Sequence, residues 1–213
     1  MRLRRRKNLT PRLEEVSRLF LERSSETNEP PDWPESLRVV AELGCGLGGF
    51  ITEKAKRQPD TLHVALERNP NALVRAMELA AGWELPNLRF VLDDVQNLER
   101  YFAPGALSGL YINFCNPWPA QRHCRRRLTH PGFLSVYGKL LRPGGLLQFK
   151  TDDGALFAYS RTVLLRAGWT LDKVTEDLHG AGPRPEDDVM TEYEQRFREK
   201  GMPIFRLEAI PPA

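Results

Sequence analysis

From residue 37 onward, short apolar runs alternate with helix-length amphipathic stretches. The runs LRVVAEL (37–43), TLHVALE (61–67), LRFVL (88–92), SGLYINF (108–114) and LLQFKT (146–151) are almost continuously apolar rather than alternating. Such runs predict strands buried on both faces, as in a parallel sheet covered by helices. Between them lie helical periods: the segment reaching about Arg57, NALVRAMELAAGW (71–83), PGFLSVYGKLL (131–141) and ALFAYSRTVLLRAG (155–168), with only a short amphipathic turn after the third strand. Arg142-Pro143-Gly144-Gly145 predicts a helix end, since proline cannot continue the helix and glycine takes the turn. Beyond Gly168 the rhythm changes. WTLDKV (169–174) and PIFRLEAI (203–210) read as strands with no full helix between them, hence an antiparallel hairpin at one sheet edge. The expected fold class is α/β, a doubly wound, mostly parallel, Rossmann-like sheet with a C-terminal antiparallel hairpin. Ligands are expected at the carboxyl ends of the strands.

Residues 1–36 read as an extension. A short amphipathic stretch (Leu13, Val16, Leu19, Phe20) precedes the polar, proline-rich SSETNEPPDWPES, and residues 37–213 form one domain. An apolar fraction of 41% supports a proper core. No run approaches the roughly 18 apolar residues of a membrane span, and no apolar stretch follows the basic start as a secretory signal requires. Three cysteines (Cys45, Cys115, Cys124), without CxxC spacing, point to a reducing cytoplasm and away from a zinc site. The net charge of +3 is unevenly placed, with basic blocks at Arg2–Lys7 and Arg122–Arg127. Such blocks form either a solvated surface or an anion-binding one.

The first strand ends in Glu42-Leu43-Gly44-Cys45-Gly46-Leu47-Gly48-Gly49. Gly44, Gly46 and Gly49 satisfy the dinucleotide pattern GxGxxG, while Glu42 with Gly44, Gly46 and Gly48 gives ExGxGxG. Either lets the backbone turn tightly and approach a ligand at a helix N-terminus; a plain strand–helix turn is the simpler account. Glu42 favours a ligand that brings an ammonium group, such as the methionine half of S-adenosylmethionine, over a pyrophosphate. Glu67 closes the second strand, where a carboxylate accepts from ribose hydroxyls, and Asp94 follows the third, within reach of an adenine edge. A nicotinamide-dependent oxidoreductase fits GxGxxG but lacks a second domain for its substrate.

These motifs, ELGCGLGGF, ALERN, LDDVQNL, INFCNPWPAQRHCRRRLT, LLRPGGLLQFKTD and TEYEQRF, run through residues 37 to 207. In them the chain resembles the bacterial tRNA (guanine-N7-)-methyltransferase family. The resemblance implies a class I methyltransferase domain at 37–213, S-adenosylmethionine as cofactor and tRNA as partner. It also implies methylation of the guanine at tRNA position 46. The chain is further expected to use no membrane and no metal and to act as a monomer or homodimer. Carried over, cofactor binding falls on Glu42, Gly44, Gly46, Gly48, Glu67, Asp94 and Asn116, with Asn116 also catalytic. Substrate contacts fall on Ala120, Arg122, His123, Arg126, Asp152, Thr191, Glu192, Tyr193 and Glu194. Two positions depart from the family pattern: Asn116 stands where it has aspartate, and Ala120 where it has lysine. An attenuated or silent homologue that binds tRNA and cofactor is the alternative these departures raise.

Guanine N7 carries a lone pair and no proton, so its methylation needs no general base. Catalysis reduces to positioning and electrostatic support for charge developing on the purine. The arginines at 122 and 125–127 are expected to meet tRNA phosphates, which gives affinity without sequence readout. His123 either donates to phosphate or packs under the corner. Trp118 braces the loop or stacks on a base, and Tyr193 contacts guanine or packs on the sheet.

Overall fold

The computed structural model describes residues 8–22, 29–180 and 188–212. The basic Arg2–Lys7 block lies outside the described residues, as does part of the 24–36 linker. The expected parallel strands are β1 (Arg38–Leu43), β2 (Thr61–Leu66), β3 (Leu88–Val91), β4 (Leu107–Asn113) and β5 (Leu141–Thr151). With β6 (Thr170–Thr175) and β7 (Phe205–Ile210) they form a seven-stranded sheet of order β3-β2-β1-β4-β5-β7-β6. β1 pairs with β2, β2 with β3 and β4 with β5 in parallel, whereas β7 runs antiparallel to both β5 and β6. The described chain divides into two compact parts at Ala103/Pro104.

In the first part, α2 (Gly49–Arg57) and α3 (Pro70–Ala81) follow β1 and β2. Asn69 caps α3 by accepting from the Asn71 N–H at 3.0 Å, with Pro70 at the first helical position, where a missing N–H costs nothing. The core here is aliphatic: Val39, Val40, Leu43, Val64, Leu66, Leu73 and Met77 are buried. The stretch read as part of an extension is docked onto this core. Helix α1 (Leu9–Glu15) leads to buried Val16 and Leu19, and Phe20 bridges Phe90 of β3. The Arg12 guanidinium meets the Glu78 carboxylate through two bonds, of 2.6 and 2.5 Å.

In the second part, α4 (Pro131–Leu140) precedes β5 and α5 (Gly154–Arg166) follows it. The Arg142–Gly145 turn lies inside β5, at the register shift where Leu107 pairs with Leu141 but Gly109 with Leu146. A side chain on Gly145 would sit 2.9 Å from the Arg142 carbonyl oxygen, so glycine is required there. The hairpin expectation omitted α6 (Glu192–Glu199), which lies in the connection between β6 and β7. Its N-terminal signature is threonine followed three residues later by glutamate, a pattern that suits a helix cap as well as a ligand site. Among the described residues no helix is long and apolar enough to cross a membrane, and no cluster of three potential metal ligands occurs.

Candidate functional site

In the first part, the loop after β1 carries Gly44, Gly46 and Gly48 at φ of +81°, +56° and +79°. Only glycine adopts these angles without cost. At Gly44 and Gly46 a side chain would meet nothing within 4 Å, so the bare backbone faces open space there. At Gly48 a Cβ would lie 2.6 Å from the Cβ of Ala76, so this glycine serves helix packing instead. Gly48 caps α2 with no side chain on its first amides, which leaves N–H groups directed at the loop.

Glu67 is locked by this loop. Its carboxylate accepts from the Gly46 N–H at 3.1 Å and the Asn69 N–H at 2.8 Å. Each oxygen has a second lone pair, so the group can still accept from hydroxyls of a ligand. Glu42 is buried near the end of β1 at 2% exposure. Burial, together with the charges of Glu42 and Glu67, pushes the Cys45 thiol far up, so Cys45 is no nucleophile.

After β3 two aspartates divide the work. Asp93 accepts from the Asp94 N–H, the Asn97 amide and the Tyr101 hydroxyl, at 2.7, 2.7 and 2.8 Å. Burial opposes its charge, but these donors win and hold its carboxyl below the usual range. Asp94 caps the turn at Val95–Arg100 through the Gln96 N–H and lies 3.4 Å from an Arg68 nitrogen. With fewer donors of its own than Asp93, it keeps more of its carboxylate for a ligand.

In the second part, the corner after β4 is built from strained aromatics. Phe114 has φ +51° and Trp118 φ +44°, uncommon for bulky residues. The Phe114 N–H is held by the Lys150 carbonyl at 2.9 Å, and its ring stacks on Tyr193 and Phe197 at 6.1 and 6.3 Å. The exposed Asn116 accepts the Trp118 N–H at 3.1 Å. Arg127, grouped by sequence with the phosphate-facing arginines, is only 8% exposed. It donates to the Trp118 carbonyl at 3.3 and 3.1 Å and to that of Pro119 at 3.4 Å, with its guanidinium 4.3 Å from the Tyr159 ring. It braces the corner and does not face solvent.

Arg122, Arg125 and Arg126 are exposed on the turn Gln121–Arg126, which starts after the exposed Ala120. Arg126 lies 4.9 Å over the Trp118 ring, and His123 meets its edge at 5.7 Å. Arg122 donates to His123 Nε2 at 3.3 Å. Trp118 is thus packed between side chains of its own loop.

Asp152, just past β5, is half-buried and no side chain among the described residues pairs with it. Burial and the neighbouring Asp153 charge raise its carboxyl above the usual range. Asp153 is spent on capping α5 through the Leu156 N–H at 2.7 Å.

Thr191 and Glu194 form a capping box on α6: the Glu194 N–H donates to Thr191 Oγ1 at 2.9 Å, and the Thr191 N–H to Glu194 Oε2 at 3.4 Å. Glu194 is fully buried and also receives Lys150 Nζ at 3.1 Å. Tyr193 is exposed, with Arg196 5.9 Å from its ring, and Glu192 belongs to the same helix. Sequence reasoning did not single out Lys150, Asp188 or Phe114, and it gave Arg127 to phosphate where the structure gives it to backbone carbonyls. A lysine inside the apolar run LLQFKT was the only signal for the first.

A family model described as "Putative methyltransferase" matches residues 36–207. The chain is 40% identical over 213 residues to the tRNA (guanine-N(7)-)-methyltransferase of Lactococcus lactis subsp. cremoris strain SK11, covering 98% of this chain and 97% of that one. It is 42% identical over 171 residues to the protein of the same name from Clostridioides difficile strain 630, covering 80% and 79%. Among solved structures, the 16S rRNA methyltransferase KamB is similar at TM-score 0.60 and 17% identity, over 94% of this chain and 93% of that chain. The antibiotic-resistance methyltransferase Kmr is similar at TM-score 0.55 and 21% identity, over 83% and 87%. At such identities the structural likeness is one of fold, that of class I methyltransferases.

Proposed function

The chain belongs to the tRNA (guanine-N(7)-)-methyltransferase family, and we propose that it transfers a methyl group from S-adenosylmethionine to N7 of a guanine in tRNA, at position 46 of the variable loop. The observation that carries this reading is the 40% identity to a tRNA (guanine-N(7)-)-methyltransferase across 98% of the chain. The glycine loop fits the cofactor: open backbone at Gly44 and Gly46, uncapped amides at α2, and a Glu67 carboxylate fixed with lone pairs to spare. Glu67 accepts from ribose hydroxyls, Asp94 from the adenine edge, and Glu42 faces the ammonium end.

S-adenosylmethionine supplies a sulfonium methyl; its carbon–sulfur bond breaks as the bond to N7 forms, and positive charge passes to the purine. The protein therefore has no proton to remove. Asp152 is the carboxylate best suited to the charge that develops on the ring, because no neighbouring side chain among the described residues consumes it. Its raised carboxyl must be ionised for that role, so the reaction weakens on the acid side. Tyr193 offers a ring face beside the Phe114 stack, Thr191 and Glu194 set the start of α6 that presents it, and Glu192 shares that first turn. Arg122 and Arg126 meet phosphates, next to His123 and Ala120 on the same turn.

Incubation with radiolabelled S-adenosylmethionine and unmodified tRNA, followed by nucleoside analysis, tests the reading. Label in N7-methylguanosine is expected. Cofactor and tRNA binding without any label would overturn it in favour of a silent binder.

A further inference from the structure

One hydrogen bond decides which end of the Asn116 amide the corner offers. The Trp118 N–H can only donate, and it lies 3.1 Å from Asn116 Oδ1. An amide nitrogen in that place would oppose donor to donor, so the carbonyl end is the one held. The Nδ2 end is what the exposed side chain presents to a ligand. The surroundings keep the arrangement in place, since Arg127 clamps the Trp118 carbonyl and the Trp118 ring lies between Arg126 and His123. A left-handed backbone at a tryptophan survives only where its neighbours impose it.

Resting on the methyl-transfer reading above, we propose that Asn116 recognises the target guanine as a hydrogen-bond donor, through Nδ2 to the O6 carbonyl. O6 and N7 are the two acceptors on the same edge of guanine. N7 must stay open to the methyl group, which leaves O6 as the atom a donor can hold. Holding O6 fixes the edge that carries N7 and acts by positioning rather than by charge. Adenine carries an amino donor at the matching place and would face Nδ2 donor to donor, so the contact also selects guanine. An aspartate here would spend one oxygen on the Trp118 N–H and turn an acceptor towards O6. The exchange of aspartate for asparagine thus changes which guanine atom is read, beyond removing a charge.

The test pairs three enzymes with two substrates. tRNA carrying guanine or 2-aminopurine at the target position is offered to the unmodified chain, to Asn116→Asp and to Asn116→Ser. 2-Aminopurine keeps N7 and lacks O6. Losing O6 should lower kcat/KM by about tenfold for the unmodified chain, the worth of one hydrogen bond. For Asn116→Asp, which keeps the bond to Trp118, the same change should cost less than about twofold. Asn116→Ser, whose hydroxyl also accepts from Trp118 and has no amide donor, should show the same collapse. Equal losses in all three enzymes would overturn the assignment. If the unmodified chain methylates no tRNA at all, the reading it rests on falls and takes it along.

Discussion

Lys150 donates its ammonium to Glu194 at 3.1 Å and meets Asp188 at 2.5 Å, with all three side chains fully buried. It also donates to the Val189 carbonyl at 3.1 Å. One lysine on β5 therefore ties down both the start of α6 and the segment leading into it. Burying two carboxylates is tolerable only with such a partner.

Replacing Lys150 with methionine keeps the apolar stem and removes the charge. Stranding the two acids should cost about 3–5 kcal/mol. At roughly 2–4 °C per kcal/mol for a chain of this size, that is a fall in Tm of about 10 °C. Thermal unfolding measures it; a Tm within about 2 °C of the parent would show that the acids relax into other partners.

Gly44 and Gly48 share a left-handed backbone but not their surroundings. Gly48→Ala drives a methyl to 2.6 Å from the Ala76 Cβ, so it should destabilise by about 2–4 kcal/mol, strain and overpacking combined. Gly44→Ala meets no neighbour and should cost only about 1–2 kcal/mol of backbone strain. Its methyl enters open space that the proposed cofactor site would use, so the larger effect is expected on S-adenosylhomocysteine binding. Denaturant melts and calorimetry separate the two.

His63 is fully buried in β2. Burial first, and the positive charges of Lys54 and Arg38 after it, lower its pKa from 6.5 to about 4. The unfolded chain therefore takes up a proton between these values that the folded chain refuses. Stability from this residue is complete above about pH 6.5 and declines as pH falls towards 4, by about 3 kcal/mol in all. The stability difference between the parent and His63→Leu, followed from pH 7 to pH 4.5, should move in favour of the variant. A difference that stays constant would show no linked proton.

Arg122 and Arg126 are exposed, whereas Arg127 is spent on backbone carbonyls. Replacing the first two with alanine should weaken tRNA binding and reduce the slope of log K against log salt by about 1 to 2, with Tm unchanged. Arg127→Ala should instead lower Tm, by an amount matching about 2–3 kcal/mol, because the Trp118 and Pro119 carbonyls lose their donor. Filter binding across a salt series distinguishes the pair from the single variant.

Much of this molecule was legible in its residues. Apolar runs bounded by turn residues located the five parallel strands, because a strand buried on both faces has no choice but to be apolar; β6, largely exposed, and β7 showed only as the change of rhythm after Gly168. The glycine loop announced itself, since positive φ at Gly44, Gly46 and Gly48 admits no other residue cheaply. Helix α6 escaped, because a threonine and a glutamate three apart serve equally well as ligands or as a cap. Asp94 was named for the site by its place after the third strand; only the donors Asn97 and Tyr101 show that its neighbour Asp93 is already satisfied.

The sequence by itself determined the fold class, the family and the residue types at the strand ends. Tertiary structure decided how each polar group is spent. Arg127 among its exposed neighbours looks like one more phosphate ligand until three hydrogen bonds to backbone carbonyls claim it. Asn116 looks like a weakened aspartate until the Trp118 N–H claims its oxygen and turns the amide nitrogen outward. Periodicity encodes burial, which is local and repetitive. The pairing of a donor with one particular acceptor depends on where the corner, held at φ +44° and +51°, brings them together.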